Sequence, residues 1–235
     1  MSRRRSSTPA VFLVAGSLAA LALLAHTVRR FVAPRREKRS ERERSGATVP
    51  DSPVDAGVDL QGAETGAGEL THRRYAIEVP RSTFTCHTLI RAIAQSMREL
   101  SPEKLAAFEK TAGSVATMLV GDEYDVTMLG PWNGRVRVAE VTDDSFTLVT
   151  LDGHPEAGHI VFSVRELTNR PDAFQVRIES WARARDEIVH VAYDTLAVGR
   201  QVQTEVWVTF LQRVAELTGC DEVPEVDINS EELTT

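Results

Sequence analysis

The chain has 235 residues with 27 Lys plus Arg against 34 Asp plus Glu, a net charge of −7. A hydrophobic fraction of 42% and a charged fraction of 26% exclude a wholly disordered or collagen-like chain. Two cysteines are too few for a disulfide scaffold or a Cys-based zinc site, and the acidic balance speaks against a nucleic-acid partner.

The charge is unevenly distributed. Residues 1–44 hold eleven basic and three acidic residues, a balance of +8, and the remainder stands at −15. After a basic tail over 1–9, residues 10–28 form an uncharged apolar run, AVFLVAGSLAALALLAHTV, close to the roughly 20 residues that cross a hydrocarbon core as a helix. A cleaved signal peptide is the competing reading, but Arg29 and Arg30 follow where a small-residue cleavage site would be needed. The expectation is therefore a transmembrane helix over 10–28 with the lipid bilayer as its partner. The heavier basic flank after the span (Arg29, Arg30, Arg35, Arg36, Lys38, Arg39) predicts a single-pass protein of the cell membrane with its folded part in the cytoplasm. Residues 29–70 combine that flank with a polar, Pro- and Gly-containing stretch and read as a disordered linker.

Residues 71–220 remain for a folded domain. His72 to Val79 alternates in polarity as a half-buried strand does, and Pro80 ends it. From Phe84 to Leu100, apolar residues recur at three and four, which predicts an amphipathic helix. Ser101-Pro102-Glu103 supplies the start signals of a second helix carrying Leu105, Phe108 and Ala112 inward and stopping at Gly113. Five strands are expected next, at 124–129, 135–141, 146–151, 159–164 and 174–181, with connections short enough for antiparallel neighbours. Beyond Asp186 a helical stripe of Val202, Val206, Phe210, Val214 and Leu217 ends before Gly219. Residues 221–235 carry six acidic and no basic residues and read as a disordered acidic tail. The fold class expected is α+β: an N-terminal transmembrane helix, then a curved antiparallel sheet with two short helices and a long C-terminal helix packed across it.

Thr150-Leu151-Asp152-Gly153-His154-Pro155-Glu156-Ala157-Gly158, followed by Phe162, resembles the central motif of the domain-of-unknown-function family numbered 1990. The resemblance extends from the Gly121 region through Arg135–Val138 and Arg177–Trp181 to Gln201. It departs at Leu148 and Val149, where an aromatic residue and a glycine are usual, and at His159, where a glutamate is usual. The resemblance implies a START-like, Bet v 1-like helix-grip fold and no established reaction.

Asp152, His154, Glu156 and His159 form the one tight cluster of ionisable residues suited to proton exchange or metal binding. Their spacing matches no established metal motif, and Gly153-His154-Pro155 is equally explained as turn chemistry, so no metal or cofactor is expected. His154, Glu156 and His159 are the candidate catalytic residues. Trp181, Tyr193, Trp207 and Phe210 are the candidates to line a cavity between sheet and helix. Cys86-His87 at a helix start and Gly121-Asp122-Glu123 are weaker candidates. The leading expectation is a noncatalytic membrane-anchored domain holding a small apolar or lipid-like ligand in its cavity. The alternatives are a hydrolase- or cyclase-like enzyme using the same cavity, and an interaction module recruiting a protein partner through its acidic tail.

Overall fold

The computed structural model describes residues 37–45, 59–114, 116–128, 133–187, 198–222 and 224–234. Nine strands form one sheet: β1 (Glu37–Ser45), β2 (Ala67–Pro80), β3 (Ala106–Ala112), β4 (Glu123–Met128), β5 (Gly134–Val141), β6 (Ser145–Thr150), β7 (Glu156–Leu167), β8 (Arg170–Ala184) and β9 (Val226–Thr234). Among the described residues three α-helices accompany them, α1 (Cys86–Gln95), α2 (Met97–Leu100) and α3 (Val198–Leu217), with one 3-10 turn at Ala63–Thr65. The sheet order is β1-β9-β2-β8-β7-β6-β5-β4-β3, and every pairing is antiparallel except β1 with β9. Register shifts in β2, β3, β5 and β7 place irregularities along the sheet, the feature that bends and twists strands.

One face of the sheet carries Tyr75, Ile77, Phe146, Leu148, Phe162, Val164, Val176 and Ile178, all buried. Against it pack Leu89, Ile90 and Ile93 of α1 and Val206, Phe210, Leu211 and Val214 of α3, in one continuous core. A sheet closing around a long C-terminal helix is the helix-grip arrangement. Thr85 caps α1 through a capping box with Thr88, as a β-region hydroxyl residue before an apolar helix should. Gly219, at φ +82, ends α3, where its N–H reaches the Glu216 carbonyl and that of Cys220 reaches Ala215, a left-handed cap.

Several expectations are corrected. The fold is dominated by its sheet and is not the anchored α+β architecture expected. The span expected over 10–28 lies outside the described residues. Among the described residues no helix is long and apolar enough to cross a membrane, since α3, the longest, carries Arg200, Gln201, Gln203, Glu205, Arg213 and Glu216. The expected membrane location, single-pass with a cytoplasmic domain, is corrected on that ground, and contact with a lipid bilayer is not shown. The second helix is also absent: Leu105 and Ala106 N–H groups both return to the Pro102 carbonyl, closing one turn, after which the chain extends into β3. Ala106 and Phe108 are buried and Glu109 exposed, a period of two that pairing with β4 rewards more than the helical spacing of Leu105, Phe108 and Ala112. Residues 226–234, read as tail, pair with β2 as β9, and Val226, Ile228 and Leu233 are buried there. Leu217, expected in the α3 stripe, is 42% exposed, while Trp207, Val208, Leu211 and Ala215 widen the buried surface of that helix.

Candidate functional site

The Gly153-His154-Pro155 segment is a turn between β6 and β7, and its histidine faces back into its own loop. Gly153 takes φ +92, which favours glycine. The Glu156 backbone N–H donates to Nδ1 of His154 at 3.0 Å, and the ring is buried. Burial pushes the His154 pKa down to about 4, against a backbone bond to Glu156 whose carbonyl oxygen also lies 3.0 Å from Nδ1, so the ring is neutral at neutral pH. The imidazole lies against Gly134 at the start of β5, so close that a Cβ there would fall 2.1 Å from Cδ2.

Gln61 holds this turn from outside the motif. Its Nε2 donates to the carbonyls of His154 at 2.7 Å and Glu156 at 2.8 Å, and its Oε1 accepts from the Gly153 N–H. Its backbone carbonyl accepts from Thr150 Oγ1 and from the Gly158 N–H. Buried amide and carbonyl groups of the turn are thereby satisfied, as buried polar groups must be. Gly158 is needed for closeness: a Cβ would fall 2.0 Å from the Trp181 carbonyl oxygen of β8.

Glu156 and His159 stand three residues apart on β7 and so face opposite sides of the sheet. Glu156 is on the α3 side. There Gln203 Nε2 donates to its Oε2 at 3.0 Å, Arg73 of β2 lies 3.9 Å from Oε1, and Arg73 also bonds Gln203. Burial raises the Glu156 pKa, and Arg73 and Gln203 oppose that rise. His159 is on the other side, where burial lowers its pKa.

Trp181 shares the His159 side. Its indole is sandwiched between His72, at 4.6 Å between ring centroids, and His159, at 5.1 Å. His72 Nε2 in turn lies 2.8 Å from Glu179 Oε1. Trp181 also borders a small outer cluster of Ala63, Leu70 and Leu233. It thus stands on the opposite face from Trp207 and Phe210, which meet each other and Phe162 within the main core. Tyr193 lies outside the described residues. The structure therefore places Trp207 and Phe210 together and Trp181 apart, and it does not converge His154, Glu156 and His159.

The weaker candidates have structural duties. Burial raises the pKa of the Cys86 thiol, the reverse of an activated cysteine. Asp122 is buried, accepts from the Leu119 N–H at 2.8 Å and pairs with Lys110, which fixes the segment before β4. Among the described residues no group of three or more His, Cys, Asp or Glu side chains is placed to hold a metal ion.

A groove of about 520 Å³ opens on the helix side of the sheet, between α1 and the end of the β5–β6 hairpin. Ile90, Ala94, Met118 and Phe146 form its apolar depth. Leu119, 56% exposed, and Val141, 41% exposed, carry that apolar surface to its mouth. His87 of α1 and Asp143 of the hairpin turn meet there, Nδ1 to Oδ1, at 3.3 Å. The sequence reading did not identify this groove, Gln61, Arg73 or Gln203. For the face of Glu156 a signal existed: starting β7 at Glu156 and counting by two separates it from His159.

Residues 71–214 match the model of the family described as "Domain of unknown function (DUF1990)". No curated protein matches the chain. Among solved structures, truncated norcoclaurine synthase from Thalictrum flavum is similar with a TM-score of 0.47 at 13% identity, over 66% of this chain and 98% of that one. The di-domain ARO/CYC StfQ from the steffimycin biosynthetic pathway gives a TM-score of 0.46 at 12% identity, over 64% and 50%. A conserved protein from Geobacillus kaustophilus gives 0.41 at 12%, over 63% and 94%.

Proposed function

The chain belongs to the DUF1990 family, and from that premise we propose that it is a noncatalytic helix-grip domain that holds a small, mainly apolar ligand against the flank of α1. The observation that carries this reading is the groove of about 520 Å³, with Ile90, Ala94, Met118 and Phe146 in its depth. Small-molecule sites are apolar concavities of roughly 300–1,000 Å³ with a few polar groups at defined places. This groove has that size, and its lining mixes six apolar with seven polar or charged residues, the apolar Ile90, Met118 and Phe146 being buried in the core.

Acid–base catalysis at the motif has less support. His154 Nδ1 is engaged by the Glu156 N–H, and Glu156 and His159 face opposite sides of the sheet. General acid–base chemistry needs its partners within reach of one substrate. Trp207 and Phe210 do not line the groove; they pack on Phe162, which stacks on the groove residue Phe146. Trp181 acts from the outer face, where it joins β2 to β7.

Native mass spectrometry of the purified full chain, together with titration of the neutral fluorophore 1-aminoanthracene, tests the proposal. The expected result is a bound small molecule or saturable fluorophore binding that Ala94→Trp, which fills the groove, removes. Binding of equal strength in Ala94→Trp and in a second filled variant, Ser145→Trp, would place the ligand elsewhere and overturn the reading.

A further inference from the structure

We infer that the ligand of this groove is amphipathic and monoanionic, a carboxylic acid on an apolar chain, and that Arg91 receives its carboxylate. This rests on the reading that the groove takes a small apolar ligand, and it adds the chemistry of the ligand's polar end.

Three charged or titratable residues line the groove, His87 and Arg91 on α1 and Asp143 on the hairpin turn. His87 and Arg91 are four residues apart and so lie on one face of the helix, one turn above the other. Asp143 is already met across the mouth by His87. Arg91 is exposed and engages no described residue through a hydrogen bond or an ion pair. A groove with an apolar depth is thus lined by one guanidinium that has no hydrogen-bond or ion-pair partner among the described residues.

A guanidinium presents its N–H groups as a planar fork that fits the two oxygens of a carboxylate, and such paired, charge-assisted bonds are stronger than neutral ones. The apolar depth selects a hydrocarbon or aromatic body, because burying it removes apolar surface from water. A cationic head group would be repelled by Arg91. A dianionic one would place its second charge near Asp143, whose side chain stands on the opposite lip. One negative charge on an apolar body satisfies both ends of the groove.

Isothermal titration of the full chain at neutral pH with decanoate, decan-1-ol and decylamine tests the assignment, because the three probes share a body and differ in the head group. Decanoate is expected to bind roughly tenfold tighter than the alcohol, the gain of one charge-assisted bond pair at a solvent-facing site. Arg91→Gln is expected to bring decanoate to the level of the alcohol while leaving the alcohol unchanged, and Arg91→Lys to recover part of the difference. Added salt should narrow the gap between acid and alcohol. Equal binding of acid and alcohol, tighter binding of the amine, or an acid affinity untouched by Arg91→Gln overturns the head-group assignment and leaves the groove reading standing. Binding of none of the three probes overturns both.

Discussion

Nδ1 of His154 accepts a 3.0 Å hydrogen bond from the backbone N–H of Glu156, two residues on, and the imidazole is buried as it does so. The Glu156 carbonyl oxygen also lies 3.0 Å from Nδ1, so the residue that begins β7 offers the motif histidine a backbone partner in either tautomer. A protonated ring could donate to that carbonyl but would hold its charge away from water, and burial is the larger effect.

Acid should destabilise the protein through this residue. The folded pKa of His154 is about 4 against 6.5 for the free side chain, so between those values the unfolded chain binds the extra proton. Stability contributed here is complete above about pH 6.5 and is lost as the pH falls toward 4, on the order of 3 kcal/mol over the window. His159, lowered by burial, acts in the same sense, and Glu156, raised by burial, in the opposite one. Urea unfolding of the wild type and of His154→Asn between pH 4 and 7.5 separates the term. The pH slope should be shallower in the variant; equal slopes would mean that His154 does not titrate as described.

Gly134→Ala should fail for want of space alone. The added Cβ would lie 2.1 Å from His154 Cδ2 and 2.7 Å from Cγ. Overpacking of this kind costs roughly 1–3 kcal/mol. Combined with His154→Ala, which removes the ring, the substitution should cost less than the two single losses added together. Additive losses in chemical denaturation would show that the two residues are not in contact.

Gln61→Ala should loosen the motif turn although residue 61 precedes the family match. It deletes two donated bonds, to His154 O and Glu156 O, and one accepted from Gly153 N–H. Leaving buried partners unmet costs about 1–3 kcal/mol. Amide hydrogen exchange should accelerate at Gly153 more than at Val164 or Val176 in the strands beyond. A chain beginning at residue 71 should show the same signature more strongly, for it also loses the backbone bonds of Gln61 with Thr150 and Gly158.

Removing the carboxylate of Glu156 should be felt at Arg73 and α3. Glu156→Leu leaves Arg73 and Gln203 beside an apolar group under the helix. Breaking one side of a largely buried pair costs on the order of 3 kcal/mol, and replacing both sides with apolar groups costs less. Glu156→Leu with Arg73→Met is accordingly expected to be more stable than Glu156→Leu alone. A double variant that is less stable would show that the two groups act independently.

Local patterning made β2, the strands β4 to β8, and the helices α1 and α3 legible. The alternation of Tyr75, Ile77 and Val79 marked β2, and the repeat of Leu89, Ile90 and Ile93 marked α1, because a residue's face follows from its position in a regular element. Ser101-Pro102-Glu103 misled because a helix-start signal needs several turns of intramolecular bonds to prevail. Here a neighbouring strand, Glu123–Met128, offered bonds to the extended form instead. The acidic composition of 226–234 hid β9: Val226, Ile228 and Leu233 are spaced among acids, and only pairing with β2 gives them something to cover. The candidate cluster near Glu156 was visible as a motif but not as geometry, since its chemistry depends on which face each side chain takes.

By itself, then, the sequence determined the family, the run of antiparallel strands from β4 to β8, the cap that ends α3, and the turn character of Gly153-His154-Pro155. Each of these is carried by residues close together in the chain. Tertiary structure alone decided that Gln61 clasps a turn more than ninety residues away, that Trp181 stacks on the outer face between His72 and His159, and that α1 and the β5–β6 hairpin leave a groove with Arg91 at its edge. Contacts of that kind depend on which elements become neighbours, and neighbourhood is set by the packing of the whole sheet rather than by local periodicity.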